Sequence, residues 1–362
     1  MAPVSRRTVL VGGISLAALA AVGYGAWPRE EPYEEAVQRQ RRLLSATPGL
    51  RDLVRVATLA ANGHNSQPWR FRLADRGLSI LPDFTRRTRV VDPDDHLYVS
   101  LGCATENLVI AAVAAGQAAE VAIGDAGTPR VDIAWSAARP ASGPLYKAIP
   151  LRQSTRSLHD GQPIAQGDMA LLATAARQDG VSVRFFTDAI HRDAIADFVI
   201  AGNSAQMDDP AFVQELMDWL RFSPALAVAT GDGLFSACSG NPVMPQWIGE
   251  RMFRAFFTRD AENRKYAEHI RSSAGVAVFV GDRADPDHWI RVGRSFQRFA
   301  LQATALGIRT AHINQPVEVP SVRSEFSAWL GQPDARPDLV IRFGRAPAMP
   351  MSLRRPVSAV LA

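Results

Sequence analysis

Two short stretches carry side chains whose types and spacing could do chemistry. The first, Asn62-Gly63-His64-Asn65-Ser66-Gln67-Pro68-Trp69, offers amide, imidazole and hydroxyl groups before a proline that fixes the backbone. The second is Arg152-Gln153-Ser154-Thr155-Arg156. If that segment is extended, Arg152, Ser154 and Arg156 fall on one face and reach roughly 13 Å. A guanidinium suits a phosphate through its fork of donors. Neither stretch compels this reading, since Asn-Gly is an ordinary turn former, Trp69 can be plain core, and arginines can flank a helix start on the surface.

The elements that must position these residues follow from periodicity. Leu53, Val56, Ala57 and Ala60 predict a helix before the first stretch, and Trp69, Phe71 and Leu73 alternate as in a strand after it. Ala74-Asp75-Arg76-Gly77 predicts a hairpin to a strand at Leu78 to Leu81. A long apolar helix from Leu101 to Ala115, closed by Gly116, precedes strands around Val121 and at Val131 to Trp135. Upstream, Glu30 to Leu50 is helical in tone, with Pro48-Gly49 as its end. After Arg156 come a helix at Met169 to Arg177 and strands at Val183 to Phe186 and Leu339 to Phe343.

The chain also repeats itself. An offset of 191 sets Leu101-Gly102-Cys103 against Val292-Gly293-Arg294, and it superposes Ala112 on Ala303, Ala114 on Ala305 and Gly116 on Gly307. Asp-Pro-Asp precedes both helices, at Asp92 and Asp285. Several coincidences in one register suggest an internal duplication. The expected organisation is a leader at 1–27, a first half at 28–148 and a second half at 149–362. The second half carries extra material at about 190–265, a stretch of the kind that forms lids.

Asn65, Gln67, Pro68 and Trp69 resemble the nitroreductase family's loop before Pro-Trp, and Arg152, Ser154 and Arg156 resemble that family's opening motif. Ala61, Asn62 and Gly63 stand where the family has Pro-Ser-Ser, so its hydroxyl contacts are not carried over. The chain is similar to the fused, pseudo-dimeric branch of that family. The resemblance implies an α+β fold with mixed or antiparallel sheets flanked by helices, and FMN held between the two halves. It assigns Arg152 and Ser154 to the phosphate and ribityl end and Arg156 to the ring's N1 and O2 edge, with Gln153 among the cofactor-binding residues. Asn65, Gln67 and Trp69 would border the ring, Asn314 and Gln315 would face its N5 and O4 edge, and Arg354 and Arg355 would reach the phosphate. No catalytic side chain is implied beyond Arg156, as stabiliser of reduced flavin, because the flavin carries the chemistry. The second symmetric site is expected to be absent, since no Asn-x-Gln-Pro-Trp precedes Val183.

The whole chain narrows the alternatives. With 47% hydrophobic and 21% charged residues it is compositionally globular. A net charge of +4 and a pI near 9.4 come from scattered arginines without a basic stripe, which argues against a nucleic-acid partner. Ser5-Arg6-Arg7-Thr8-Val9-Leu10 before the weakly apolar run Val11 to Val22 has the layout of a twin-arginine export signal, too short for a comfortable membrane span. An uncleaved anchor is the alternative. Export of a folded chain with its cofactor inside, by the twin-arginine machinery to the periplasm, is therefore expected. Cys103 and Cys238 are the only cysteines, expected as buried free thiols, and no zinc spacing or other metal motif is present. His64 is expected to hydrogen-bond within its loop. The function expected is an exported oxidoreductase passing electrons through FMN to a nitroaromatic or quinone, with the electron donor unknown. The alternative is a flavin-storing protein with a lid and little turnover.

Overall fold

Along Trp69–Ala74 every second side chain is buried at first, Trp69 and Phe71 inward and Arg70 and Arg72 outward, which is the two-residue period of a strand with one face on a core. In this computed structural model, which describes residues 31–90, 95–124 and 127–362, that strand opens the first of two four-stranded antiparallel sheets. The leader 1–27 and the Asp-Pro-Asp run at Asp92 lie outside the described residues.

The first half contains α1 (Glu31–Arg41), α2 (Leu50–Ala57), β1 (Trp69–Ala74), β2 (Gly77–Pro82), α3 (Asp95–Ala114), β3 (Gln117–Gly124), β4 (Arg130–Ala137) and α4 (Pro144–Ala148). The second half begins with α5 (Gln166–Ala175) and β5 (Val181–Phe186). An inserted group follows: α6 (Ala189–Met207), α7 (Pro210–Trp219), β6 (Leu220–Arg221), α8 (Pro224–Thr230), β7 (Leu234–Phe235), α9 (Gln246–Phe256) and α10 (Arg259–Arg271). The half then resumes with β8 (Gly275–Gly281), α11 (Pro286–Ala305), β9 (Arg309–His312), α12 (Gln315–Glu318), α13 (Pro320–Trp329) and β10 (Pro337–Gly344), before a tail with α14 (Val357–Val360).

Both sheets run first-second-fourth-third: β1-β2-β4-β3 in one half and β5-β8-β10-β9 in the other. The long helix enters between the second and third strand each time. The inserted group stands where the first half has only the Asp75-Arg76 turn, because β1 pairs β2 out to Ala74 and Gly77. The fold is α+β, as expected.

The two long helices cross at their glycines. A Cβ on Gly102 would lie 2.0 Å from the Ile290 carbonyl, and one on Gly293 would lie 2.0 Å from the Val99 carbonyl. The offset of 191 carries each contact onto the other, so the crossing is reciprocal in the manner of a two-fold interface. Further along, Arg298 donates to the buried Glu106 at 2.8 Å and Gln297 donates to Asn107 at 2.7 Å, again two pairs related by that offset. The main core wraps this crossing and draws on both halves. A second core lies between the other face of the β8 sheet and the inserted helices α6 and α10 together with α13, with Ile195, Val199, Ile270 and Phe326.

Several predicted boundaries move. α1 stops at Arg41, short of Pro48, and α3 starts at Asp95, six residues before the apolar run, its first turns buried nearly all round. α3 is long and apolar enough to cross a membrane, but 78% of its 18-residue window is buried inside the protein, as suits a core helix.

Candidate functional site

α2 ends at Ala57, and the carbonyls of its last turn need donors. Backbone N–H groups of the next three residues cap Val54, Val56 and Ala57, which leaves the carbonyls of the following turn, Thr58 to Ala60, to guanidinium groups. Arg354 donates to Thr58 O (2.6 Å) and Ala60 O (3.2 Å), and Arg152 donates to Leu59 O (3.1 Å). Arg41 lies behind them, donating to Pro150 O (2.9 Å) and Ser352 O (3.2 Å). A helix C-terminus favours cations, but only by the partial charge of its dipole. Among the described residues no carboxylate lies within ion-pair distance of Arg41, Arg152 or Arg354, and none appears among the charges acting on them. Burial, with the neighbouring guanidiniums, pulls Arg41 down to about 10 and Arg354 well below its usual range; burial alone does the same to Arg152, to about 10. The Nε atoms of Arg41 and Arg152 are buried without a partner. A concentration of positive charge this poorly compensated is the electrostatic signature of an anion site.

Arg152 and Arg354 border a small cavity lined also by Asn62, Asn65, Ser154, Arg156, Leu234, Cys238 and Ser352. Through Ala61, Asn62, Ser154, Arg156 and Leu234 it joins a larger one. The larger cavity takes His64, Cys103 and Phe296 from the helix-crossing side and His312, Asn314 and Gln315 from the end of β9. The inserted group closes the opposite wall with Asn203, Gln206, Phe212, Phe257 and Tyr266. At the junction stands Arg156, with no hydrogen bond or ion pair to any of the described residues and its pKa lowered by burial. Ser154 pairs by its backbone with Thr310 on the edge of β9, which explains the extended course of 152–156. Arg342 fixes the same segment from below, donating to Thr155 O and Ser157 O.

His64 and His312 are held uncharged at neutral pH. Burial, and then the charge of Arg156, take them down to about 4 and about 3 respectively. Burial raises the Cys103 thiol to about 12, so it is inert as a nucleophile. Both cysteines are free and buried. Asp285, Asp287 and His288 have ligand atoms close enough to share a metal ion, but Asp285 caps α11 by accepting from His288 N and Asp287 pairs with Arg291.

No family model matches the sequence. Over 322 residues the chain is 26% identical to a Mycobacterium tuberculosis protein provisionally named an NAD(P)H nitroreductase, spanning 86% of this chain and 90% of that protein. A second such M. tuberculosis protein, acg, is 25% identical over 332 residues, spanning 86% and 94%. Among solved structures, the FMN-dependent nitroreductase NfnB of Mycobacterium smegmatis, in complex with NADPH, aligns at 17% identity over 56% of this chain and 87% of that one, with a TM-score of 0.37. The chain is similar to nitroreductases over most of its length.

In this nitroreductase-like chain the structure brings together Arg152, Gln153, Ser154, Arg156, Asn65 and Arg354 around one cavity, with Asn314 and Gln315 around the next. Gln153 is committed to the protein, its amide donating to Met349 O and accepting from Met349 N. Three expected residues do not line the cleft. Trp69 is fully buried in the core, because strand alternation turns it inward with Phe71. Gln67 is likewise sealed, donating to Gly231 O (2.9 Å) and accepting from Arg355 N (2.9 Å). Arg355 turns its guanidinium to Ala359 O on the tail. His64 faces the cavity and makes no hydrogen bond within its loop, against expectation. Arg41, Asn62, Tyr266 and His312 were not singled out as site residues from the sequence. For Asn62 a signal existed in its place beside the family loop; the others sit in unremarkable helix or strand patterns.

Proposed function

We propose that this chain is an FMN-dependent oxidoreductase of the nitroreductase type, built as two fused copies of one unit with a single flavin between them. The observation that carries the reading is the set of buried guanidiniums without carboxylates at one end of a cleft whose walls come from both halves. The donor set fits FMN. Arg152, backed by Arg41 and flanked by Arg354, would hold the phosphate, and the unpartnered Arg152 Nε supplies an open donor there. Ser154 would meet the ribityl chain, and the buried, unpartnered Gln315 Oε1 would be available to a ring edge.

When bound, FMN supplies hydride and electron transfer between a donor and a small acceptor, a nitroaromatic or quinone. The chain's own residues position and shield. Arg156 places a positive charge, undiluted by any protein partner, where negative charge on a bound group is favoured. Phe212, Phe257 and Tyr266 exclude water from the wider end, and the uncharged His64 and His312 can hydrogen-bond a neutral acceptor there. Export through the Arg6-Arg7 leader belongs to the same proposal.

Flavin released by heat from the purified protein, identified as FMN and lost in Arg152→Gln, is the expected result; a colourless protein that takes up no FMN overturns it. Mixing dithionite-reduced protein with a nitroaromatic then tests turnover. Fast reoxidation supports an enzyme, whereas a ring closed to acceptor supports flavin storage, a reading favoured by the inserted wall across the cleft. The relatives' names give NAD(P)H as donor. A chain working outside the cytoplasm would need another, so NADPH oxidation by the purified protein separates those settings.

A further inference from the structure

The loop before β1 is held in a conformation it would not adopt alone. His64, Asn65 and Gln67 have φ of 49°, 54° and 55°, three non-glycine residues in the left-handed region within four positions. Each is unfavourable by roughly 1 to 2 kcal/mol, so something must over-determine the loop. The inserted group does so through Gly231-Asp232-Gly233. Gly231 O accepts from Gln67 Nε2 (2.9 Å), Gly233 O accepts from Asn65 Nδ2 (3.1 Å), and Gly233 N donates to Asn65 O (3.3 Å). Both glycines are themselves left-handed, and a Cβ on either would strike backbone: Arg354 O at 2.5 Å from Gly231 and Trp219 O at 2.4 Å from Gly233.

Between those glycines Asp232 joins two arginines from opposite sides. Arg86, which donates through Nε to Ser66 O at 2.5 Å, reaches Asp232 Oδ2 at 2.5 Å, and Arg221 Nη2 reaches Asp232 Oδ1 at 2.8 Å. The Asp232 side chain is 11% exposed. A continuous line of bonds therefore runs from the loop's Ser66 carbonyl through Arg86 and Asp232 to Arg221 in β6.

We propose that Asp232 is a positioning residue for the flavin site, the point through which the inserted group sets the shape of the Asn62 to Gln67 loop. The insertion is then a brace for the opposite half's loop as well as a wall of the cleft. This rests on the FMN reading above. Asn62, His64 and Asn65 line the joined cavities from this loop, and their placement depends on the strained backbone that Asp232 helps to hold.

The test uses the full chain, stripped of flavin and titrated with FMN. Asp232→Asn is expected to raise the FMN Kd by about tenfold to a hundredfold, as for loss of a charge-assisted bond, and to change the visible circular dichroism of the bound flavin. Arg86→Gln should do the same, and the double variant should be no worse than either single one. Asp232→Glu should recover part of the affinity. Far-ultraviolet circular dichroism of each flavin-free variant shows whether the fold survives. A Kd and visible spectrum unchanged in both Asp232→Asn and Arg86→Gln overturn the proposal while leaving the FMN reading intact. A wild-type chain that takes up no FMN overturns both.

Discussion

The cleft proposed for the cofactor has a counterpart elsewhere in the molecule. The offset of 191 carries His96, Ser100, Cys103, His312, Asn314 and Gln315 onto Asp287, Arg291, Arg294, Val121, Ile123 and Gly124, and all six of the latter line one other cavity. The scaffolds match, but the charges do not. Every arginine lining the counterpart is neutralised: Arg291 by Asp287 (3.0 Å), Arg283 by Asp285 (3.2 Å) and Arg294 by Glu106 (3.0 Å). No inserted residue borders it, since the first half has a two-residue turn where the second has α6 to α10. One cleft is walled and keeps its guanidiniums free of carboxylates, while the other is open and internally compensated. A shared frame therefore does not make a shared site; uncompensated charge and a wall do.

The comparison can be broken at its frame first. Gly102→Ala and Gly293→Ala each force a methyl group onto the other helix's backbone and should destabilise the protein by about 3 kcal/mol or more. Because the contacts are reciprocal, urea unfolding should give the two variants similar losses; a large disparity would mean the crossing is not symmetric in energy.

Next comes charge. Arg152→Gln should weaken FMN binding roughly ten- to a hundredfold, whereas Arg291→Ala in the counterpart should change the Kd less than about twofold. Equal effects in the two clefts would sink the distinction drawn here.

A smaller effect concerns pH. The unfolded chain protonates histidine below about 6.5, but folded His312 resists until about 3, so its contribution to stability is complete above pH 6.5 and is lost as pH falls toward 3. His64, His159 and His269 act in the same sense. Asp338, raised by burial to about 7, acts oppositely, favouring the fold at low pH and losing that contribution as pH rises through 7. Replacing His312 by the counterpart's residue, His312→Val, should flatten the acid slope of unfolding free energy by up to about 1.4 kcal/mol per pH unit. An unchanged slope would place the proton elsewhere.

Much of this was legible in the sequence because it rests on local period. Alternation at Trp69 to Leu73, the Ala74 to Gly77 turn and the register of the two glycine-bearing helices all reappear in the fold. The 152–156 segment was legible because three polar side chains at spacing two share a face. What escaped depended on long-range packing. Strand alternation does not say which face meets the core, so Trp69 was assigned to the cleft and lies in the interior. Arg41 reads as one more base in a charged helix until the fold sets it behind Arg152. Arg354 and Arg355 are neighbours in sequence, yet only the first turns inward, toward the carbonyls of the turn that follows α2.

The anion end of the cleft gathers Arg41, Arg152 and Arg354, positions spread over more than three hundred residues. On the ribosome no partial chain can hold all three, since Arg354 emerges long after Arg41, and contacts of such sequence separation are slow to form. The phosphate ester proposed for this trio would therefore be captured only after synthesis, once folding has drawn the three guanidiniums out of water and set them side by side.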